Sequence, residues 1–253
     1  MTALLEVERL SVAFGGLAAL SEVCLTLAEG TVTAVIGPNG AGKTTLLNAI
    51  TGYVRPQSGR VIIEGRAVTG LPPFAIARRG LRRTFQNGGA FNDMSVLENI
   101  LLGADKALRS PFFGILFGFP GARRAERQAV AEARAMLARA GIRGLEETRA
   151  RELSFGQQRL VEISRALLSR PRILLLDEPA VGLSESEREE LRQRLRGLAG
   201  EGIAVLLVEH VVDLVMAVSD RVLVLNSGQV LAAGTPLEVR SDPAVLEAYL
   251  GSA

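Results

Sequence analysis

The chain has 253 residues, 48% of them hydrophobic, enough for one sizeable core with room for an inserted lobe. Its 29 basic and 27 acidic residues nearly balance at +2, which gives no reason to expect a nucleic-acid surface. A single cysteine, Cys24, excludes an intramolecular disulfide or a cysteine-based metal site and fits a reducing compartment.

Met1-Thr2-Ala3-Leu4-Leu5-Glu6 has no basic region leading into an apolar stretch, so no secretory signal is expected. The longest apolar runs, such as Phe112 to Phe119 and Ile203 to Val208, fall far short of the roughly 20 residues that cross a bilayer.

In chain order, the first strand signal is the β-branched run Val32 to Ile36, followed by a helical pattern over 43–50. The turn Gln57-Ser58-Gly59 then introduces Arg60 to Glu64, predicted as an antiparallel strand at the margin. From Asn92 to Arg170 no strand pattern occurs. Helical spacing instead predicts helices over 96–102, 123–140 and 155–168, with alanine, arginine and glutamate on their polar faces. Within this lobe the stretch 110–120 is apolar and aromatic yet broken by glycine and proline. It reads either as a loop packed under the lobe or as an exposed docking surface for a membrane partner.

Alternation resumes with strands at 173–176, 203–208 and 222–225, helices over 186–198 and 211–218, and an antiparallel strand from Gln229 to Gly234 after the turn Asn226-Ser227-Gly228. The pattern predicts an α/β fold with a largely parallel sheet buried on both faces. Residues 1–91 and 171–253 would form the core and 92–170 a helical subdomain.

Three groups of residues carry chemistry. Gly37-Pro38-Asn39-Gly40-Ala41-Gly42-Lys43-Thr44-Thr45 satisfies GxxxxGK[ST] between a strand and a helix, the context of a phosphate loop. Its glycines let successive N–H groups and the positive helix end face a β-phosphate, with Lys43 reaching the β- and γ-phosphates and Thr44 ligating Mg²⁺. Lys43 and Lys106 are the only lysines in an arginine-rich chain. A compact ammonium on a flexible stem is kept where phosphate chemistry favours it.

Asp177 and Glu178 end an apolar strand at the sheet's carboxyl edge. They divide into a carboxylate for Mg²⁺ and a base for the attacking water. His210, the sole histidine, follows another strand, where a structural role is the ordinary expectation.

With Leu153-Ser154-Phe155-Gly156-Gln157-Gln158-Arg159 standing before the acidic strand end, this order resembles that of the ABC ATPases over essentially the whole chain. The resemblance implies a P-loop NTPase core with an inserted helical subdomain and an antiparallel β subdomain, binding ATP and Mg²⁺. It implies that His210 contacts the γ-phosphate, that Gln86 senses Mg²⁺ and the attacking water, and that Phe14 stacks on adenine. Ser154, Gly156 and Gln157 would close over the ATP of a second subunit, although a plain helix cap is the competing reading of Ser154. Serine stands at Ser184, where the family often has an aspartate that crosses the dimer.

The closer resemblance is to the ATP-binding subunits of bacterial branched-chain amino-acid importers. It rests on Gly70-Leu71-Pro72-Pro73, Arg83-Thr84-Phe85-Gln86-Asn87, the apolar insertion after Lys106, Val208-Glu209-His210 and the ending Leu246 to Gly251. It implies an ATP hydrolase on the cytoplasmic face of the inner membrane. The partners implied are a second ATPase chain, identical or paralogous, transmembrane permease subunits and, indirectly, a periplasmic solute-binding protein. Related systems for urea or lipopolysaccharide share much of this pattern. A soluble ABC-type ATPase of DNA repair or translation would usually need a coiled-coil insertion or a second domain.

Overall fold

The structure, a computed structural model, describes residues 2–84, 89–104 and 120–250. It divides into two compact units, one formed by residues 1–83 and 172–253, the other by 84–171. The helical lobe expected from residue 92 thus belongs to a unit that begins at Thr84.

The first unit contains two sheets. Strands β3 (Val32–Ile36), β7 (Ile173–Asp177) and β8 (Ala204–Val208) are buried at every position, as apolar runs without alternation require. With β6 (Leu81–Arg83), β9 (Arg221–Asn226) and β10 (Gln229–Gly234) they form a sheet of order β10-β9-β3-β8-β7-β6. All its pairings are parallel except that of β10 with β9. The second sheet, of order β2-β1-β4-β5, is antiparallel throughout and is built on β1 (Ala3–Phe14), β2 (Leu17–Ala28), β4 (Ser58–Ile63) and the short β5 (Arg66–Ala67).

Helix α1 (Lys43–Ile50) buries Leu46, Leu47 and Ile50 on the stripe that also carries Lys43, at intervals of three and four residues. These side chains join one core with Leu5, Val12 and Leu20 of the antiparallel sheet and Val35 and Leu206 of the parallel one. After the two-residue strand β5 comes the short helix α2 (Pro73–Ala77), whose first turn starts on proline.

The second unit has its own core. Helices α3 (Val96–Leu101), α4 (Pro120–Arg139) and α5 (Phe155–Leu168) pack Val96, Ile100, Ala133, Leu137, Val161 and Leu168 together. Fully buried Asn99 ties its loop down: Oδ1 accepts from the Phe91 N–H at 2.7 Å, and Nδ2 donates to the carbonyls of Phe91 and Ser95. Among the described residues the only extended pairing here is an isolated bridge between Ser95 and Arg149. The 110–119 stretch lies outside the described residues.

Back in the first unit, α6 (Glu185–Gly200), α7 (Val212–Val218), α8 (Pro236–Arg240) and α9 (Pro243–Leu250) complete the chain. The apolar stripe of α6, Leu191, Leu195 and Leu198, faces inward, while its charged residues are exposed or half-buried.

Candidate active site

Strand order brings the chemistry to one edge. β8 pairs with β3 on one side and β7 on the other, with Val208 opposite both Val35 and Asp177. The carboxyl ends of these strands lead, respectively, into Glu209-His210, the phosphate loop and Glu178. Ligands of open α/β sheets bind outside such strand ends.

The loop's geometry needs glycine. Gly42 has φ +102°, and a Cβ there would lie 2.7 Å from the Ala19 carbonyl oxygen. Gly40 has φ +80° with nothing within 4 Å of a would-be Cβ, so the left-handed backbone is its requirement and the space before it is open. Gly42 also begins α1, and no side chain caps that helix, nor does its first turn carry an acid. Helices α3, α5, α6 and α8 each start instead with a reciprocal capping box. The uncapped N–H groups and dipole of α1 are available to an anion.

Lys43 is nearly buried, and its Nζ donates to the Gly37 carbonyl at 2.7 Å and the Pro38 carbonyl at 2.9 Å. Burial pushes this ammonium below the usual lysine value, while the carboxylates of Glu178 and Asp177 pull it back up. Pro38 is half-buried, Asn39 exposed and Ala41 buried, whereas Thr44 is exposed and Thr45 half-buried at the helix start.

Asp177 is held by a residue given no role in the sequence. Arg83, at the end of β6, places Nη2 2.9 Å from Asp177 Oδ2, with both side chains about 5% exposed or less. Its Nη1 donates to Asn48 Oδ1 at 2.7 Å and Thr51 Oγ1 at 3.2 Å, so one guanidinium joins the acidic strand to the end of α1. Glu178 is half-buried and has φ +49°, a left-handed backbone that a non-glycine residue adopts only when its surroundings enforce it. Its N–H donates to the Val208 carbonyl at 2.8 Å.

His210 is exposed, with its backbone N–H donating to Glu209 Oε2 at 3.0 Å. Glu209 itself is fully buried. Phe14, at the end of β1 before the Gly15-Gly16 turn, is about half exposed.

In the second unit, Ser154 and Gln157 form a capping box: Ser154 Oγ accepts from the Gln157 N–H and Gln157 Oε1 from the Ser154 N–H, while Gly156 is buried. Ser184 caps α6 in the same way with Glu187. Gln86 lies outside the described residues. Among those residues no cluster of three or more His, Cys, Asp or Glu side chains could hold a metal ion unaided. The oxygen donors at this edge, the carboxylates of Asp177 and Glu178 and the hydroxyl of Thr44, are the kind that Mg²⁺ takes together with phosphate oxygens and water.

Comparison with known proteins identifies the family. Residues 20–181 match the family model described as ABC transporter, and residues 229–253 the one described as branched-chain amino acid ATP-binding cassette transporter. A high-affinity branched-chain amino acid transport ATP-binding protein of Pseudomonas aeruginosa, BraF, is 43% identical over 99% of this chain and 98% of its own length. Its Escherichia coli K12 counterpart LivG is 41% identical with the same coverage. Among solved structures, a nucleotide-free ATP-binding cassette from an ABC transporter superposes with a TM-score of 0.86 at 35% identity, covering 98% of this chain and 99% of that one. The chain belongs to the ABC transporter family, as one of its ATP-binding proteins.

Proposed function

We propose that this chain binds ATP with Mg²⁺ at the phosphate loop and hydrolyses it to power import of branched-chain amino acids through membrane permease subunits. The observation that supports this most directly is Lys43, held over the loop with Asp177 and Glu178 as its charged neighbours. The ammonium, the loop N–H groups and the α1 terminus bind and orient the phosphates, so that developing negative charge meets fixed donors. Thr44 and Asp177, with Gln86, would hold Mg²⁺, which neutralises charge on the phosphate oxygens when bound. Glu178 accepts a proton from the attacking water, and His210 donates to the γ-phosphate from the neighbouring strand end.

The adenine stacks on Phe14. Two copies, or this chain and a close paralogue, sandwich two ATP molecules, with Ser154, Gly156 and Gln157 of one copy facing the γ-phosphate held by the other. ATP binding closes the pair and hydrolysis reopens it, a ligand-driven shift between two states. No helix among the described residues is long and apolar enough to cross a membrane. In this reading transport falls to permease subunits, as suits a chain similar to transport ATP-binding proteins, with this chain on the cytoplasmic face of the inner membrane and a periplasmic binding protein acting indirectly.

Glu178→Gln tests the chemistry. It is expected to lower the ATPase kcat by roughly 10²-fold or more, the scale of a lost general base, while ATP binding persists. Turnover at the wild-type rate would remove Glu178 as the base. The same variant with ATP should dimerise in light scattering if two identical copies form the sandwich, and a persistent monomer would refute that homodimer. For cargo, the chain should co-purify with its permease subunits, and ATP-dependent uptake of labelled leucine by the reconstituted complex is the expected outcome.

A further inference from the structure

Glu209 has zero exposure and no part in the chemistry above. A buried carboxylate demands partners. Its Oε1 accepts from the Ala180 N–H at 2.6 Å, and its Oε2 from the N–H groups of His210 at 3.0 Å and Val211 at 3.3 Å. Three donors converge on it, a pattern a carboxylate satisfies and an amide does not. Ala180 stands two residues after Glu178, whose own N–H is fixed to Val208. Successive residues at the end of β8 therefore hold alternate residues of the neighbouring loop. Val208 does so through its backbone, and Glu209 extends the ladder by its side chain beyond the last paired residue, Asp177.

We propose that Glu209 is a positioning residue that locks the loop after Glu178 to the backbone at His210, so that the base and the imidazole keep one relative geometry and move together. This rests on the hydrolytic reading of Glu178 and His210. The left-handed backbone of Glu178 is pinned from both sides, by Val208 at its own N–H and by Glu209 two residues on. Both loops leave neighbouring strands within the same compact unit, so the tie is short and buried.

The test is Glu209→Gln, which keeps size and turns one acceptor into a donor facing N–H groups. Amide hydrogen exchange in the nucleotide-free chain should quicken in 180–183 and in 210–212 together. The ATPase kcat should fall about tenfold to a hundredfold, the worth of one charged hydrogen bond, with KM for ATP changed by less than about twofold. In a His210→Ala background the same substitution should cost less than about twofold more, because its effect passes through a geometry already lost.

Faster exchange in only one segment, an additive double variant, or a raised KM with unchanged kcat would each overturn the coupling. If Glu209→Gln fails to fold, Glu209→Asp keeps the charge but is one methylene too short to reach both loops, and the same readings apply. A wild-type chain without ATPase activity would defeat the hydrolytic reading, while hydrogen exchange would still decide whether Glu209 joins the two loops.

Discussion

Lys43, Asp177, Glu178 and the loop glycines are legible from sequence because their chemistry is local: the loop and both acids lie directly at strand ends. Arg83 and Glu209 are not, since their partners lie 94 and 29 residues away and only the sheet brings them together. An acid directly after an apolar strand was the one available signal for Glu209. Removing the guanidinium in Arg83→Met leaves Asp177 buried without its ion-pair partner, so urea unfolding should show a loss of about 3–5 kcal/mol. Asp177→Asn in the same background should recover part of that loss.

The acid limb of stability has an exposed contributor in Glu189, whose carboxyl is lowered from 4.5 to about 2 by hydrogen bonds from Arg192 first and Gln193 second. A depressed carboxylate contributes above its unfolded value of 4.5 and loses that contribution as pH falls from there through about 2. An NMR titration should place Glu189 near that midpoint, and Arg192→Gln should move it up toward the ordinary range.

At the scale of elements, β3, β7 and β8 are recognisable because strands buried on both faces read as unbroken apolar runs. The long β1–β2 hairpin carries no such mark. Its register shifts repeatedly, between Ala3 and Leu5 and again between Val7 and Leu10, and Arg9 and Glu22 take positive φ. Each irregularity resets the two-residue alternation by which a half-buried strand is read.

Helix starts are clearer. The hydroxyl of Ser154 and the side chain of Gln157 form the cap of α5. Ser154→Ala is expected to cost about 1 kcal/mol in thermal unfolding, whatever its effect on paired subunits. Ser184→Asp should leave stability unchanged, because aspartate caps as well as serine, so any change in ATP-driven dimerisation would report on coupling rather than on folding.

At the scale of the whole molecule, each unit has a buried cluster of its own among the described residues. Leu137 is fully buried in the second. Leu137→Ala should cost about 2–5 kcal/mol there and accelerate hydrogen exchange across α3 and α5 well before β3 and β7 lose protection. The sequence by itself determined the class of fold, the phosphate loop, the acid pair and the inserted helical stretch, because each is encoded by residues close together along the chain. The tertiary structure alone decided that Arg83 grips Asp177 and that Glu209 joins the loops of Glu178 and His210. Those are long-range contacts between buried charges and backbone groups, and no periodicity or short motif encodes which strand end will meet which.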